Sequence, residues 1–191
     1  MPYLIPETLE TERLLLRTWH PEDAVPLDEI YGQPQYRATM PPASADEQIA
    51  MWVRRWEEDG LSQWAACDRP SGQLIGRIGL IRHHDWPLVR DPVEVGWVLH
   101  HDWWGLGLAT EGGRAAIDVW LGYLPDERLY SFTAPDNRRS RAVMERLGLT
   151  LRGTADWRGF EHVWYALDRG EAATRDVRAG RSEVPGYDSQ P

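Results

Sequence analysis

The chain has 191 residues, a single cysteine and a formal net charge of −9. This length suits one domain with a substantial buried core, and the mixed apolar and charged composition is typical of globular proteins. The acidic balance argues against general binding to nucleic acid or to an anionic membrane, because both favour a basic surface. Cys67 alone permits no internal disulfide and no thiolate zinc cluster, and we see neither an apolar leader nor an apolar run of about 18 residues. We therefore expect a cytoplasmic protein without a membrane segment.

The first half of the chain predicts one strand, two helices and a hairpin. Ser44 to Glu47 has the form of a capping box, and the helix that it opens should end at Gly60. The apolar face of this helix consists of Ile49, Trp52, Val53 and Trp56. Prolines make residues 33–42 a predicted loop. The other predicted elements are a strand at 14–17, a short helix from His20, and strands at 64–67 and 74–81 around a turn at 68–72.

The middle of the chain has the pattern of a strand, a glycine turn and a helix. In residues 93–99 the side chains alternate with the period of a strand. Val93, Val95, Trp97 and Leu99 fall on one face, and Glu94, Gly96 and Val98 fall on the other. Gly105 and Gly107 then permit a tight turn, and apolar residues recur at helical spacing from Leu108. Free N–H groups and the positive end of the helix dipole converge at such a turn, which therefore predicts an anion site. A plain strand-to-helix connection is the alternative.

Two common nucleotide-binding loops do not fit this turn. A P-loop needs a lysine after its glycines, and none follows Gly107. A Rossmann fingerprint needs a third glycine, and Thr110 stands at that position. The local pattern alone therefore leaves the identity of the anion open.

The rest of the chain predicts further alternation of strands and helices. We expect a strand at 129–134, a helix at 138–147 and a closing hairpin of strands at 150–156 and 162–167. From residue 170 the chain is polar, so we expect one domain over residues 1–169 and a disordered tail over 170–191. This order of elements predicts a mixed sheet with helices on both faces.

Three stretches carry a recognisable set of motifs. Residues 104–111 read Trp-Gly-Leu-Gly-Leu-Ala-Thr-Glu, residues 9–17 read Leu-Glu-Thr-Glu-Arg-Leu-Leu-Leu-Arg, and residues 137–140 read Asn-Arg-Arg-Ser, leading into Glu-Arg-Leu-Gly-Leu at 145–149. In this order they resemble the acyl-CoA loop, the opening strand and a later helix of the GNAT acetyltransferases. The closest resemblance is to the RimJ/RimL-like branch of ribosomal-protein N-acetyltransferases. It covers roughly residues 8–168.

The resemblance implies an α/β (α+β) GNAT fold, with a mixed central sheet of about seven strands flanked by helices. In this fold the fourth and fifth strands are splayed and admit the cofactor between them. The implied activity is acetyl-CoA-dependent N-acetyl transfer, in which a primary amine attacks the thioester directly in a ternary complex. A non-catalytic CoA-binding sensor or interaction module is an alternative of another class.

The resemblance also implies which residues bind acetyl-CoA. The pyrophosphate falls to the main chain of the turn, and the pantetheine arm pairs with the strand that precedes it. Members of the family often carry a cation at the position of Leu106, which this chain lacks; an arginine at 138, 139 or 141 could replace it or could lie solvated on the surface. The implied cofactor-binding residues are Trp97, Val98, Leu99, Trp104, Gly105, Leu106, Gly107, Leu108, Ala109, Thr110, Asn137, Arg139 and Ser140.

Two residues are predicted to act in catalysis. Glu94 shares a strand face with the small Gly96 and is the predicted base for the amine, although a salt-bridged strand carboxylate would show the same pattern. The resemblance assigns Ser140 to protonation of the CoA thiolate, although a serine at a helix start needs no such role. Tyr130 and Tyr165 are the reserve candidates for this acid.

The acceptor is the least determined part of the prediction. The resemblance favours the N-terminal amine of a protein or peptide, and a small amine, an amino acid or an antibiotic is the alternative. Residues 36–42, the helix after Ser44 and the turn at 157–160 are expected to recognise it. The histidines do not have the spacing of a metal site, and adjacent ones should point apart in extended chain, so we predict no metal. We expect a monomer or a homodimer.

Overall fold

In residues 4–37 and 44–178, which the computed structural model describes, eight strands form one sheet. The strands are β1 (Thr8–Glu10), β2 (Leu14–Arg17), β3 (Gln63–Asp68), β4 (Leu74–Arg82), β5 (Val93–Leu99), β6 (Arg128–Thr133), β7 (Thr150–Trp157) and β8 (Phe160–Asp168). Their spatial order is β1-β2-β3-β4-β5-β6-β8-β7. Every neighbouring pair is antiparallel except β5 and β6. The mixed GNAT-type sheet predicted from the sequence is therefore confirmed, with β1 as an additional short strand.

The same ranges contain six helices, which cover the two faces of the sheet. They are α1 (Ala24–Tyr31), α2 (Pro34–Arg37), α3 (Ala45–Asp59), α4 (Leu108–Tyr123), α5 (Arg138–Arg146) and α6 (Arg169–Arg178). On one face α4 buries Trp120 against sheet residues that include Ile78 and Val95. On the other face α3 buries Trp52, whose ring stacks on Trp19 at 4.6 Å between centroids. No helix of these ranges is long and apolar enough to cross a bilayer.

The parallel pair β5 and β6 opens almost as soon as it forms. Its ladder consists of Val93 opposite Leu129 and Glu94 opposite Tyr130. Beyond Glu94, β5 continues to Leu99 paired with β4 alone, and β6 continues to Thr133 paired with β8 alone. A gap therefore opens in the sheet at Glu94, which agrees with the predicted splay.

Helix α3 has the ends that the sequence predicts. The Ser44 hydroxyl accepts a hydrogen bond from the Glu47 amide, and the Glu47 carboxylate accepts one from the Ser44 amide. Gly60 ends the helix with φ of 70°. Of the predicted apolar face, Ile49, Trp52 and Trp56 are buried, whereas Val53 is exposed. The two tryptophans therefore belong to the core and not to an acceptor-binding surface.

Two predicted irregular segments contain helices. Within the predicted loop 33–42, residues 34–37 form α2, while 38–43 lie outside the described residues. The expected tail from 170 begins as α6. The Arg169 guanidinium lies over the Trp120 ring at 4.7 Å and donates to the carbonyl oxygens of Trp120 and Leu121, which joins α6 to the last turn of α4. The polar composition of this segment did not predict the contact. Residues 179–191, the rest of the expected tail, lie outside the described part of the chain.

Candidate functional site

The gap between β5 and β6 is bridged at its narrow end by two side-chain hydrogen bonds. The Ser131 hydroxyl donates to the Val95 carbonyl at 2.8 Å, and the Phe132 amide donates to Glu94 Oε1 at 3.4 Å. These bonds satisfy main-chain groups that lose their ladder partners where the strands diverge. Sequence reasoning did not identify Ser131, because its role depends on which strand lies opposite it.

The main chain of Trp97 and Leu99 faces the gap beyond these bonds. The His100 amide donates to the Ile75 carbonyl at 2.8 Å, so alternate residues of β5 bond to β4 and the others turn away from it. Val98 is paired with Arg77 of β4 and therefore bonds to that strand. Of the three β5 residues predicted to pair with a pantetheine arm, Trp97 and Leu99 have the required orientation and Val98 does not.

The Leu99 carbonyl at the wide end of the gap accepts two hydrogen bonds. The Tyr36 hydroxyl of α2 donates to it at 2.6 Å, and Trp104 Nε1 donates to it at 2.7 Å. The rings of Tyr36 and Trp104 meet edge to face at 6.0 Å. Burial raises the pKa of the Tyr36 hydroxyl, which keeps it protonated as a donor. The end of β5 is thus held by α2 and by Trp104, the residue before the glycine turn, together.

The glycine turn has the geometry of an anion site. Gly105 and Gly107 have φ of 78° and 81°, a region that side chains other than glycine rarely adopt. Gly107 is the N-cap of α4, and no side chain caps the helix there. The Thr110 and Glu111 amides donate to the Gly107 carbonyl. An anion would therefore be held by the amides that precede Thr110, and by the positive end of a sixteen-residue helix.

Arg13 supplies a cation at this turn, where Leu106 does not. Its Nη1 donates to the Leu106 carbonyl at 2.8 Å, and its Nε donates to Glu111 Oε2 at 2.7 Å. Glu111 also accepts hydrogen bonds from the Arg13 amide and the Thr11 hydroxyl. The opening strand of the chain is thereby joined to the first turn of α4. Sequence reasoning missed Arg13 because this contact spans 98 residues and has no local signal.

The Glu111 carboxylate makes the stability of this junction depend on pH. Burial alone would raise the pKa of Glu111, but the hydrogen bonds from Thr11 and Arg13 outweigh it and lower the pKa. We expect Glu111→Gln to reduce the free energy of unfolding by about 2 kcal/mol at pH 7. A lowered folded-state pKa stabilises the fold above the unfolded value of about 4.5, so the difference should fade as pH falls below it.

Urea unfolding of both proteins between pH 3 and pH 7 measures this difference. The exposed Glu12→Gln variant is the control, and it should unfold like the parent throughout. A constant difference across the whole range would show that the Glu111 charge plays no part.

The start of α5 lies against the glycine turn. The Asn137 side chain accepts a hydrogen bond from the Ser140 amide at 3.1 Å and donates to the Thr133 hydroxyl at 2.9 Å, so it caps this helix. The Arg139 guanidinium lies 4.6 Å from the centroid of the Trp104 ring. Arg141 instead donates to the Tyr165 hydroxyl and to the Pro135 carbonyl. Of these two arginines, Arg139 is the one that the structure places beside Trp104, at the start of the turn.

Glu94 lies in the gap with a histidine behind it. Its Oε2 is 2.6 Å from Nε2 of His83; the His83 side chain is buried, and the Glu94 side chain is partly buried. The His83 ring packs edge-on against Phe132 and Trp157. The carboxylate is thus held in one orientation, with Oε1 toward the Phe132 amide. Sequence reasoning did not identify His83, although its pairing fits the predicted alternative of a strand carboxylate with an ionic partner.

The two reserve tyrosines are engaged in the core. The Tyr165 hydroxyl, in a side chain that is 1% exposed, accepts from Arg141 and donates to Glu145. Tyr130 is buried among Phe132 and Trp164. The burial of both side chains and their contacts account for the two tyrosines as packing residues.

Adjacent histidines at the end of β5 do not point apart as predicted for extended chain. His100 and His101 leave the strand as it turns, and their ring centroids are 4.8 Å apart. Together with Asp102 they place three potential ligand atoms within 4.8 Å of one another on an exposed surface. His100 Nδ1 already accepts the Asp102 amide.

The sheet thus has a parallel strand pair that opens beside a glycine turn whose helix start has no side-chain cap. The family model described as an acetyltransferase (GNAT) domain matches residues 13–150. YdaF of Bacillus subtilis (strain 168), named provisionally as a ribosomal N-acetyltransferase, is 30% identical over 155 residues, which are 75% of this chain and 81% of YdaF.

Solved structures show the same fold. An acetyltransferase from Agrobacterium tumefaciens str. C58 is similar with a TM-score of 0.74 and 29% identity, over 85% of this chain and 94% of that chain. RimJ of Mycobacterium smegmatis, in complex with CoA-disulfide, has a TM-score of 0.69 at 20% identity, over 95% and 98% of the two chains. The chain belongs to the GNAT acetyltransferase family. It is accordingly an acetyltransferase whose acetyl donor is acetyl-CoA.

Proposed function

We propose that this enzyme acetylates the N-terminal α-amine of a protein or peptide by direct attack in a ternary complex. The observation that carries the proposal is the similarity to YdaF over three quarters of the chain. An amine acceptor also suits Glu94, a carboxylate at the gap that shares a strand face with Gly96. We place the reaction in the cytoplasm, where the single buried Cys67 would stay reduced.

The cofactor side of the proposal assigns acetyl-CoA to groups around the gap. The amides of 105–109 would bind the pyrophosphate, and Arg13 would offset part of its charge. The pantetheine arm would pair with the main chain of Trp97 and with the Leu99 amide, because the Leu99 carbonyl already accepts two hydrogen bonds. Arg139, on the Trp104 ring, would hold a phosphate of the CoA nucleotide, and Asn137 would keep α5 in place.

The chemical step needs one proton acceptor and one proton donor. The amine nitrogen attacks the thioester carbonyl carbon, a C–N bond forms, and the C–S bond breaks. Glu94 would take the proton that the amine loses, directly or through water, because an α-amine with a pKa near 8 is largely protonated below neutral pH. Ser140 would give a proton to the departing thiolate.

Substitution of Ser140 tests the proposed acid. We expect Ser140→Ala to lower kcat by about tenfold to a hundredfold and to leave acetyl-CoA affinity nearly unchanged, because the Asn137 cap bonds to the main chain of residue 140. Steady-state kinetics and calorimetric titration separate the two quantities. Unchanged turnover would make Ser140 a helix-start residue alone.

Thiol release with a panel of amines tests the acceptor class. We expect release with peptides that carry a free N-terminus and none with the same peptides acetylated beforehand. Free amino acids, polyamines and aminoglycosides form the comparison arm. Release with that arm alone would overturn the proposal in favour of a small-amine acetyltransferase. Acetyl-CoA binding without release by any amine would instead indicate a CoA-binding module.

A further inference from the structure

One buried amide side chain lies across the sheet beside Glu94 and has no part in the reaction proposed above. Gln63 of β3 is opposite Gly79 of β4, which is opposite Gly96 of β5. A Cβ on Gly79 would come within 2.6 Å of the Gln63 Cα, and a Cβ on Gly96 would lie 3.1 Å from Gln63 Nε2. The two glycines therefore make room for Gln63 to reach β5.

Arg77 fixes which end of this amide faces the gap. Its Nη1 donates to Gln63 Oε1, and a guanidinium can only donate, so the amide nitrogen must point the other way. Arg77 is itself held by the Tyr31 hydroxyl at 2.7 Å and lies 5.5 Å from the centroid of the Trp52 ring. Nε2 is therefore directed toward Gly96 with its two donor hydrogens.

Gln63 Nε2 and Glu94 Oε1 border the same small space. The point where a Cβ of Gly96 would sit is 3.1 Å from the first atom and 3.5 Å from the second. Gln63 is 2% exposed as a whole residue, and its oxygen is taken by Arg77. Its Nε2 lies at the edge of the gap with donor hydrogens directed toward Gly96, where an acceptor atom of a ligand could bind them.

We propose that Gln63 binds the carbonyl oxygen of the first residue of the acceptor, so that the enzyme selects α-aminoacyl groups over simple amines. In such a group only the Cα and the carbonyl carbon separate the amine from the carbonyl oxygen. The amine can therefore lie against Glu94, the proton acceptor, while the oxygen accepts from Gln63 on the other side of the same small space. This inference rests on the proposed peptide acetylation and specifies which part of the acceptor the enzyme recognises. The amine is placed at Glu94 because the neighbouring carbonyl is held by Gln63.

A pair of acceptors tests the inference with the parent enzyme. One is a short peptide with N-terminal alanine, and the other replaces its first peptide bond with an (E)-alkene, which keeps the shape and removes the carbonyl oxygen together with the amide N–H. Both are compared at a pH where the two amines are largely unprotonated, because the alkene makes its amine more basic. We expect kcat/KM to be about ten- to hundredfold higher for the peptide. Equal values for the two acceptors would overturn the inference and leave peptide acetylation intact.

Two variants then test whether Gln63 is the donor. Gln63→Glu retains an oxygen for Arg77 and removes the donor hydrogens, and Gln63→Leu removes both. Each should abolish the preference for the peptide over the alkene while acetyl-CoA affinity stays unchanged. Gln73→Glu, in the turn between β3 and β4, is the matched control and should keep the preference.

The outcomes separate this inference from the proposed function. A preference that survives in both Gln63 variants would assign the carbonyl contact elsewhere and overturn the inference alone. Absence of thiol release with every free peptide would overturn the proposed function, and the inference with it.

Discussion

Gly107→Glu should abolish acetyl-CoA binding. Gly107 is the N-cap of α4 at φ of 81°, and the amides around it form the proposed pyrophosphate cradle. A carboxylate there would place a negative charge where the diphosphate binds, and its side chain would compete for Arg13, whose Nη2 lies 3.6 Å from the position of a Cβ. Repulsion and lost donors act together, so we expect affinity to fall at least a hundredfold.

Calorimetric titration with acetyl-CoA measures the effect, and a second glycine provides the control. Gly72 has φ of 72° and open space around it, so Gly72→Glu adds the same charge and a similar backbone strain of about 1 kcal/mol in the turn between β3 and β4. That variant should bind acetyl-CoA like the parent. Unchanged affinity in a folded Gly107→Glu protein would refute the assignment of the turn.

Glu94→Gln should depress turnover most strongly at low pH. The amide retains the shape of the side chain and an oxygen for His83, but it cannot take a proton at the pH of the reaction. At pH 6.5 nearly all of an α-amine is protonated, and we expect kcat/KM to fall about a hundredfold. Near pH 9 the amine is largely free, so the loss should shrink to about tenfold or less.

A pH profile of kcat/KM for parent and variant provides the measurement. Acetyl-CoA affinity, which does not involve Glu94 in the proposed site, should stay the same and serves as the control for folding. A small loss that is equal at every pH would mean that Glu94 is a scaffold carboxylate, holding the Phe132 amide and His83 across the gap.

Local sequence patterns predicted the parts of the site that lie close together in the chain. The alternation in 93–99, the glycines at 105 and 107 and the helix from Leu108 all appear where expected, because periodicity and backbone freedom are properties of short stretches. The same alternation also shows that Val98 and Trp97 cannot both face the gap. Which of the two does so depends on where β4 lies, and a single strand pattern does not specify that.

The contacts that the sequence did not predict join distant segments. Arg13 reaches Glu111, Gln63 reaches the space over Gly96, and His83 reaches Glu94 only because the order of strands in the sheet places them together. Strand order arises from the packing of the whole chain, and no local propensity encodes it. Arg169 is a similar case, since the polar segment that it begins is helical and contacts the end of α4.

The Leu99 carbonyl, which accepts from both Tyr36 and Trp104, has a consequence for the affinities of the two substrates. Residues from Tyr36 onward are predicted to recognise the acceptor, and this oxygen cannot move toward α2 without moving away from the glycine turn. Thermodynamic linkage is reciprocal: whatever free energy acetyl-CoA contributes to acceptor affinity through this carbonyl, the acceptor returns to acetyl-CoA. We therefore expect the affinity for each substrate to depend on whether the other is bound.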